Sequence, residues 1–199
     1  GIIPDGDKDK YIKIIYEKSK KLTDLINIFH EYSKLEHPDF NLIFEKVDLS
    51  EYLRAYIALK YEDIVESGFN IEVDIPEEEM EMKIDKIQLQ RVFDNILGNS
   101  IKHNEKGTNI YVSLKEKNDI YEIIIADDGK GISKDIANNI FEAFTVGDES
   151  RNSRQGSGLG LAIAKTIVEL HEGTIELVLA PPKELSTEFK ITLKKGPKL

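Results

Sequence analysis

Three segments carry polar side chains and glycines at spacings that could do chemistry. In the run from Gln90 to His103, Asn95, Asn99 and Lys102 lie four and three residues apart and share one helical face, while Val92, Phe93, Ile96, Leu97 and Ile101 supply the buried one. Amide oxygens can ligate magnesium without adding charge, and a lysine one turn further meets phosphate oxygens as a point charge. The same spacing also suits a plain amphipathic helix whose polar face meets water.

The second segment, Ile125-Ala126-Asp127-Asp128-Gly129-Lys130-Gly131-Ile132, directly follows an alternating run. Asp127 at the strand end can accept a hydrogen bond from an exocyclic amine, and glycines at alternate positions let the backbone turn or approach a flat ligand. Asp-Asp-Gly is equally a common turn signature. In the third segment, Gly156, Gly158 and Gly160 precede the apolar run Leu159 to Ile167. Backbone N–H groups at a helix start make a phosphate cradle. No Gly-Lys-Ser/Thr follows and the glycine spacing fits no dinucleotide fingerprint. A flexible linker is the plain alternative, which the abrupt entry into the helix opposes.

The elements that must position these groups are readable from period and punctuation. Ile12, Ile15, Leu22, Ile26 and Phe29 recur at heptad-like spacing, so a helix is expected from Asp9 to Glu36, ended by His37-Pro38. Acidic and basic residues balance along it, and a seam of that kind needs another helix to cover it. A second helix follows Asp48 or Ser50 as cap and stops at Gly68. Asn70 to Ile75 alternates as a half-buried strand, with a shorter strand from Met80 to Ile84. Asp85 then caps the helix that reaches His103. Strands at 109–114 and 120–126, joined through Lys117-Asn118-Asp119, precede a loop at 145–157, a helix from about Gly158 to His171, and strands near 174–179 and 186–193. That order predicts an α+β sandwich, with helices on one face of a mostly antiparallel sheet.

Composition narrows the partners. A formal charge of -10, from 37 acidic against 27 basic residues, offers no basic stripe and predicts no nucleic-acid partner. The absence of cysteine removes disulfides, thiolate zinc sites and cysteine nucleophiles. No run approaches the roughly 20 apolar residues of a membrane span, so no membrane contact is expected of this stretch. The opening Gly1-Ile2-Ile3-Pro4 reads like a segment of something longer, whose parent could be membrane-anchored with this portion in the cytoplasm.

In their order and spacing the three segments resemble the N, G1 and G2 boxes of the histidine-kinase ATPase fold, with Phe141-Glu142-Ala143-Phe144 similar to the F box between the last two. Residues 16–26 look like the second helix of a dimerisation and phosphotransfer domain, and Tyr32-Ser33-Lys34-Leu35-Glu36 like its usual exit. The resemblance implies a Bergerat-type ATP-binding domain at 39–199, preceded by a partial dimerisation segment at 1–38. It implies ATP and Mg2+ as cofactors, with Asn99 and Asn95 on the metal. Lys102 and His103 would lie near phosphates or ribose, Asp127 would read the adenine amine, and Gly129, Gly131 and Ile132 would flank the base. Gly156, Ser157, Gly158, Leu159, Gly160 and Leu161 would cradle phosphate, and Phe144 would anchor a lid. Arg151 and Arg154, two of the four arginines, fall in that lid, where cations can neutralise phosphate charge.

None of His30, His37, His103 or His171 has the acidic and proline surround of the family's phosphorylated histidine. His30-Glu31 lies near the end of its helix and reads as a surface or seam residue. By the resemblance, then, the chain binds ATP without phosphorylating itself. Its parent would be a homodimeric protein-histidine kinase that passes the γ-phosphate to a histidine and on to a response regulator aspartate. Rival readings are another ATPase of the same fold, an anti-sigma-factor serine kinase, or a noncatalytic nucleotide-binding scaffold.

Overall fold

The computed structural model describes residues 8–145, 157–179, 181–182 and 184–195. The chain divides into two compact units, Gly1–Phe40 and Asn41–Leu199. Within the first, α1 spans Lys8–Leu35. Along its seam Ile12 and Ile15 are each 63% exposed, and Leu22, Ile26 and Phe29 are exposed as well.

In the second unit, β1 (Glu45–Asp48) leads directly into α2 (Leu49–Glu66), because Asp48 both ends the strand and caps the helix by accepting the Ser50 N–H at 3.0 Å. Gly68, at φ +90°, takes the left-handed turn that stops α2. Then come β2 (Asn70–Asp74), β3 (Glu81–Ile84) and α3 (Lys86–His103). The hairpin β4 (Asn109–Lys117) and β5 (Ile120–Asp127) follows, turning at Asn118 with φ 50°. A single-turn α4 (Lys134–Ala137), α5 (Gly160–Leu170), β6 (Thr174–Leu177) and β7 (Thr187–Lys194) complete the described elements.

Five strands form one sheet in the order β2-β4-β5-β7-β6, antiparallel except for the β2–β4 pair, which is parallel. Alternate residues Ile110, Val112, Leu114, Ile123, Ile125, Ile191 and Leu193 are buried, together with Leu53 of α2, Leu89, Phe93 and Ile96 of α3, and Ile167 of α5. Phe93 packs against Tyr52 and Tyr56 of α2, with ring centroids 6.2 and 5.3 Å away. This is the α+β sandwich that the period changes predict.

Three local details differ from that expectation. β1 and β3 pair only with each other, outside the main sheet, and β1 has too few residues to display a period. β2 is an edge strand with a neighbour on one side, so Val73 is 45% exposed and only Ile71 is partly covered. The four-residue α4 is shorter than two helical turns and carries no periodic signal.

Candidate functional site

The three chemistry-bearing segments meet on α3. That helix is fixed at its start by Asp85, whose Oδ1 accepts the Gln88 N–H at 3.0 Å while Oδ2 accepts the Ile43 N–H at 2.9 Å. Asn95 and Asn99 lie half-buried along one face, with Lys102 exposed at its end. Packing around the stem of Lys102 draws its pKa below the ordinary lysine value. His103 is pushed down as well, first by burial and then by the charges of Lys102 and Lys130.

At the end of β5 the two aspartates do different work. Asp127 is buried, and its Oδ2 accepts the Ser100 hydroxyl at 2.8 Å while its Oδ1 accepts the Gly129 N–H at 3.1 Å. Asp128 turns the other way and accepts the Asn109 N–H at 2.8 Å, tying the loop to β4. A side chain at Gly129 would displace Asn104: a Cβ there would sit 2.1 Å from its Oδ1, which accepts the Lys130 N–H at 3.0 Å. Gly131 has φ +75°, and Ile132 is half-buried beside it. Ser100 and Asn104 did not stand out in the sequence. Ser100 lies in the last turn of α3 and Asn104 just past its end, outside the Asn95/Asn99 stripe, and only their contacts across the fold reveal them.

The third segment closes on the first. A Cβ on Gly160 would lie 3.0 Å from Oδ1 of Asn95, so the start of α5 runs against the amide stripe. Phe144, at φ 65°, donates its backbone N–H to the Gly158 carbonyl at 2.9 Å. Phe141 fixes the same segment by packing edge-on against Phe189 of β7, centroids 6.1 Å apart. Ser157 accepts the Leu159 N–H at 3.2 Å, and Leu159 and Leu161 are buried. Arg151, Arg154 and Gly156 lie outside the described residues.

Charge follows the same plan. α2 and α3 each begin with an aspartate cap, whereas α5 begins at Leu159 with no side-chain cap and no acidic residue in its first turn. Its first N–H groups have no partner within the helix, and the positive helix end favours an anion. Among the described residues no three His, Cys, Asp or Glu side chains gather where they could hold a metal ion. The side chains of the amide stripe, Asn95 and Asn99, are neutral oxygen donors, a type that suits an ion arriving with phosphate oxygens.

An α+β sandwich with an amide-lined helix, an acidic strand end and a glycine-led helix start defines the nucleotide-binding class of which histidine kinases are one branch. Residues 84–197 match the family described as histidine kinase-, DNA gyrase B- and HSP90-like ATPase, and the chain belongs to that family. It is 31% identical over 194 residues to the sensor histidine kinase YcbM of Bacillus subtilis strain 168, covering 97% of this chain and 62% of that protein. The chain thus spans about three-fifths of that relative. The fold resembles ShkA solved with AMPPNP, at a TM-score of 0.72 and 21% identity, over 96% of this chain and 40% of that one. It also resembles the histidine kinase ThkA solved with the response regulator protein TrrA, at a TM-score of 0.70 and 23% identity, over 98% of this chain and 53% of that one.

Proposed function

We propose that residues 41–199 form the ATP site of a sensor histidine kinase and that α3 is its organising element. The observation that carries this reading is the convergence on α3: Ser100 reaches Asp127, Asn104 reaches the loop after it, and Asn95 abuts the start of α5. In this arrangement Asp127 accepts the adenine amine, with Gly129, Gly131 and Ile132 against the base. Ser157, Gly158, Leu159, Gly160 and Leu161 present backbone N–H groups to the phosphates. Lys102 and His103 face the phosphate and ribose side. Asn99 and Asn95 hold Mg2+, which when bound neutralises charge on the phosphate oxygens. Arg151, Arg154 and Gly156 complete the phosphate side, and Phe144 anchors the segment that encloses ATP.

In the whole protein, α1 supplies half of a helical pair whose seam is covered in a homodimer. The γ-phosphate passes there to an imidazole nitrogen of a partner helix and then to a response regulator aspartate. The relatives named as sensor histidine kinases and the solved complex of ThkA with TrrA support this reading. Among the described residues no helix is long and apolar enough to cross a membrane, and a cytoplasmic place for this portion accords with that.

Titration of the chain with ADP and a nonhydrolysable ATP analogue, with and without magnesium, tests the site by calorimetry. One magnesium-dependent site is expected, and no binding at millimolar nucleotide overturns the assignment. Labelled ATP added to the full-length protein then tests transfer to histidine.

A further inference from the structure

The Ser100–Asp127 hydrogen bond is the deepest polar contact of the site. Ser100 is 5% exposed and Asp127 2%, and their oxygens stand 2.8 Å apart. Among the described residues each Asp127 oxygen has one donor: the Ser100 hydroxyl on Oδ2 from α3 and the Gly129 N–H on Oδ1 from the loop itself. A buried carboxylate needs such donors, and two of them approaching from different elements fix its plane. Among the described residues Ser100 is the only side chain that donates to it. The Gly129 N–H, two residues away on the same loop, moves with Asp127 and cannot by itself set the carboxylate relative to α3. Asn104, just past the end of α3, holds the Lys130 N–H and so keeps the loop from drifting away from the helix.

We infer that Ser100 is a positioning residue for base recognition, holding the Asp127 carboxylate so that a free lone pair meets the 6-amino group of a purine nucleotide. The inference rests on the reading of Asp127 as the base contact. Ser100 does not touch the nucleotide in this arrangement and acts only through Asp127. Removing its hydroxyl leaves the carboxylate free to rotate and to spend its lone pairs elsewhere, so the loss falls on ligands that carry the amine and spares those that lack it.

The experiment compares ADP with purine riboside 5′-diphosphate, which lacks the 6-amino group, against the wild-type chain, Ser100→Ala and Ser100→Thr by calorimetry. The wild type is expected to prefer ADP. In Ser100→Ala, ADP affinity falls about tenfold while affinity for the deaminated analogue stays within about twofold, so the preference collapses. Ser100→Thr, which keeps the hydroxyl, retains the preference. Equal weakening toward both ligands in Ser100→Ala means Ser100 merely supports the fold and overturns the inference, as does an unchanged preference. A wild-type chain that binds both ligands equally overturns the base contact of Asp127 itself, which separates failure of the site assignment from failure of the role given to Ser100. Thermal unfolding of each variant identifies any loss of fold, and in that event the Ser100→Thr result alone decides: a lost preference despite the retained hydroxyl overturns the role, and a retained one supports it.

Discussion

The backbone N–H of Asp85 donates to Nε2 of His171 at 3.0 Å, joining the start of α3 to the end of α5 across 86 residues of sequence. Because Nε2 accepts, the proton of the neutral ring must sit on Nδ1, which donates to the Ile167 carbonyl at 2.8 Å. Phe44 packs edge-on against the ring, centroids 5.4 Å apart. His171 thus holds together, from beneath, the two helices that carry the amide stripe and the glycine segment.

Acid should loosen this joint. Burial pushes the His171 pKa below the ordinary 6.5, with the Ile167 hydrogen bond and the Asp85 charge opposing it. The unfolded chain then takes up the proton more readily than the folded one, so stability is at its full value above about pH 6.5 and falls as the pH drops toward the folded pKa. His103, also pushed down, adds to the same slope. Denaturant unfolding at pH 7.5 and 5.5 should show the loss, and His171→Ala should show a smaller one. That variant should also lose about 1–3 kcal/mol at pH 7.5, since it orphans the Asp85 N–H and the Ile167 carbonyl. Equal pH slopes in the two proteins would remove His171 from the account.

Asp127→Asn should separate binding from folding. An asparagine can keep its oxygen on the Gly129 N–H and donate its amide to Ser100, whose hydroxyl turns to accept. Folding survives, with a shift in Tm of a few degrees at most. The adenine amine, however, would then meet an N–H2 group, and ADP affinity should fall by about a hundredfold, the value of a lost hydrogen bond to a charged acceptor. Tight ADP binding by this variant would take the base contact away from Asp127.

Gly158→Ala should disable the phosphate side. The residue has φ +69°, and a Cβ would lie 2.8 Å from the Phe144 carbonyl carbon, which is backbone and cannot swing aside. The substitution must break the Phe144–Gly158 hydrogen bond or shift the start of α5. Nucleotide affinity should drop tenfold or more while the sheet core, remote from this turn, keeps its unfolding transition. Unchanged affinity in the alanine variant would show that this turn does not meet phosphate.

Sequence reading reached furthest where one local device decides the outcome. Asp85 before a helical period placed α3 within a residue of its observed start, and the change from a period of two to one near 3.6 separated the strands from α5. It failed where the deciding partner is distant. β1 exists only because β3, more than thirty residues on, offers its edge. The parallel pairing of β2 with β4 is a matter of topology that the alternating run 70–75 cannot express. Within the candidate site, type and spacing single out Asn95, Asn99 and Asp127, whereas nothing in the sequence marks Ser100. Its contact is visible only beside Asp127, 27 residues later.

The donor set makes a final prediction about the metal. As proposed ligands Asn95 and Asn99 offer only neutral oxygens, and among the described residues no carboxylate cluster stands by to bind a cation on its own. Mg2+ without nucleotide should therefore leave the chain's NMR spectrum unchanged at millimolar concentration, while Mg2+ with an ATP analogue should raise nucleotide affinity at least about tenfold, because the phosphates complete the coordination. In Asn99→Ala that enhancement should shrink to about twofold, and affinity measured in the presence of a chelator should hardly move. The contrast separates a ligand of the metal from a contact of the nucleotide: a variant that loses affinity equally with and without magnesium would place Asn99 against the nucleotide rather than on the ion.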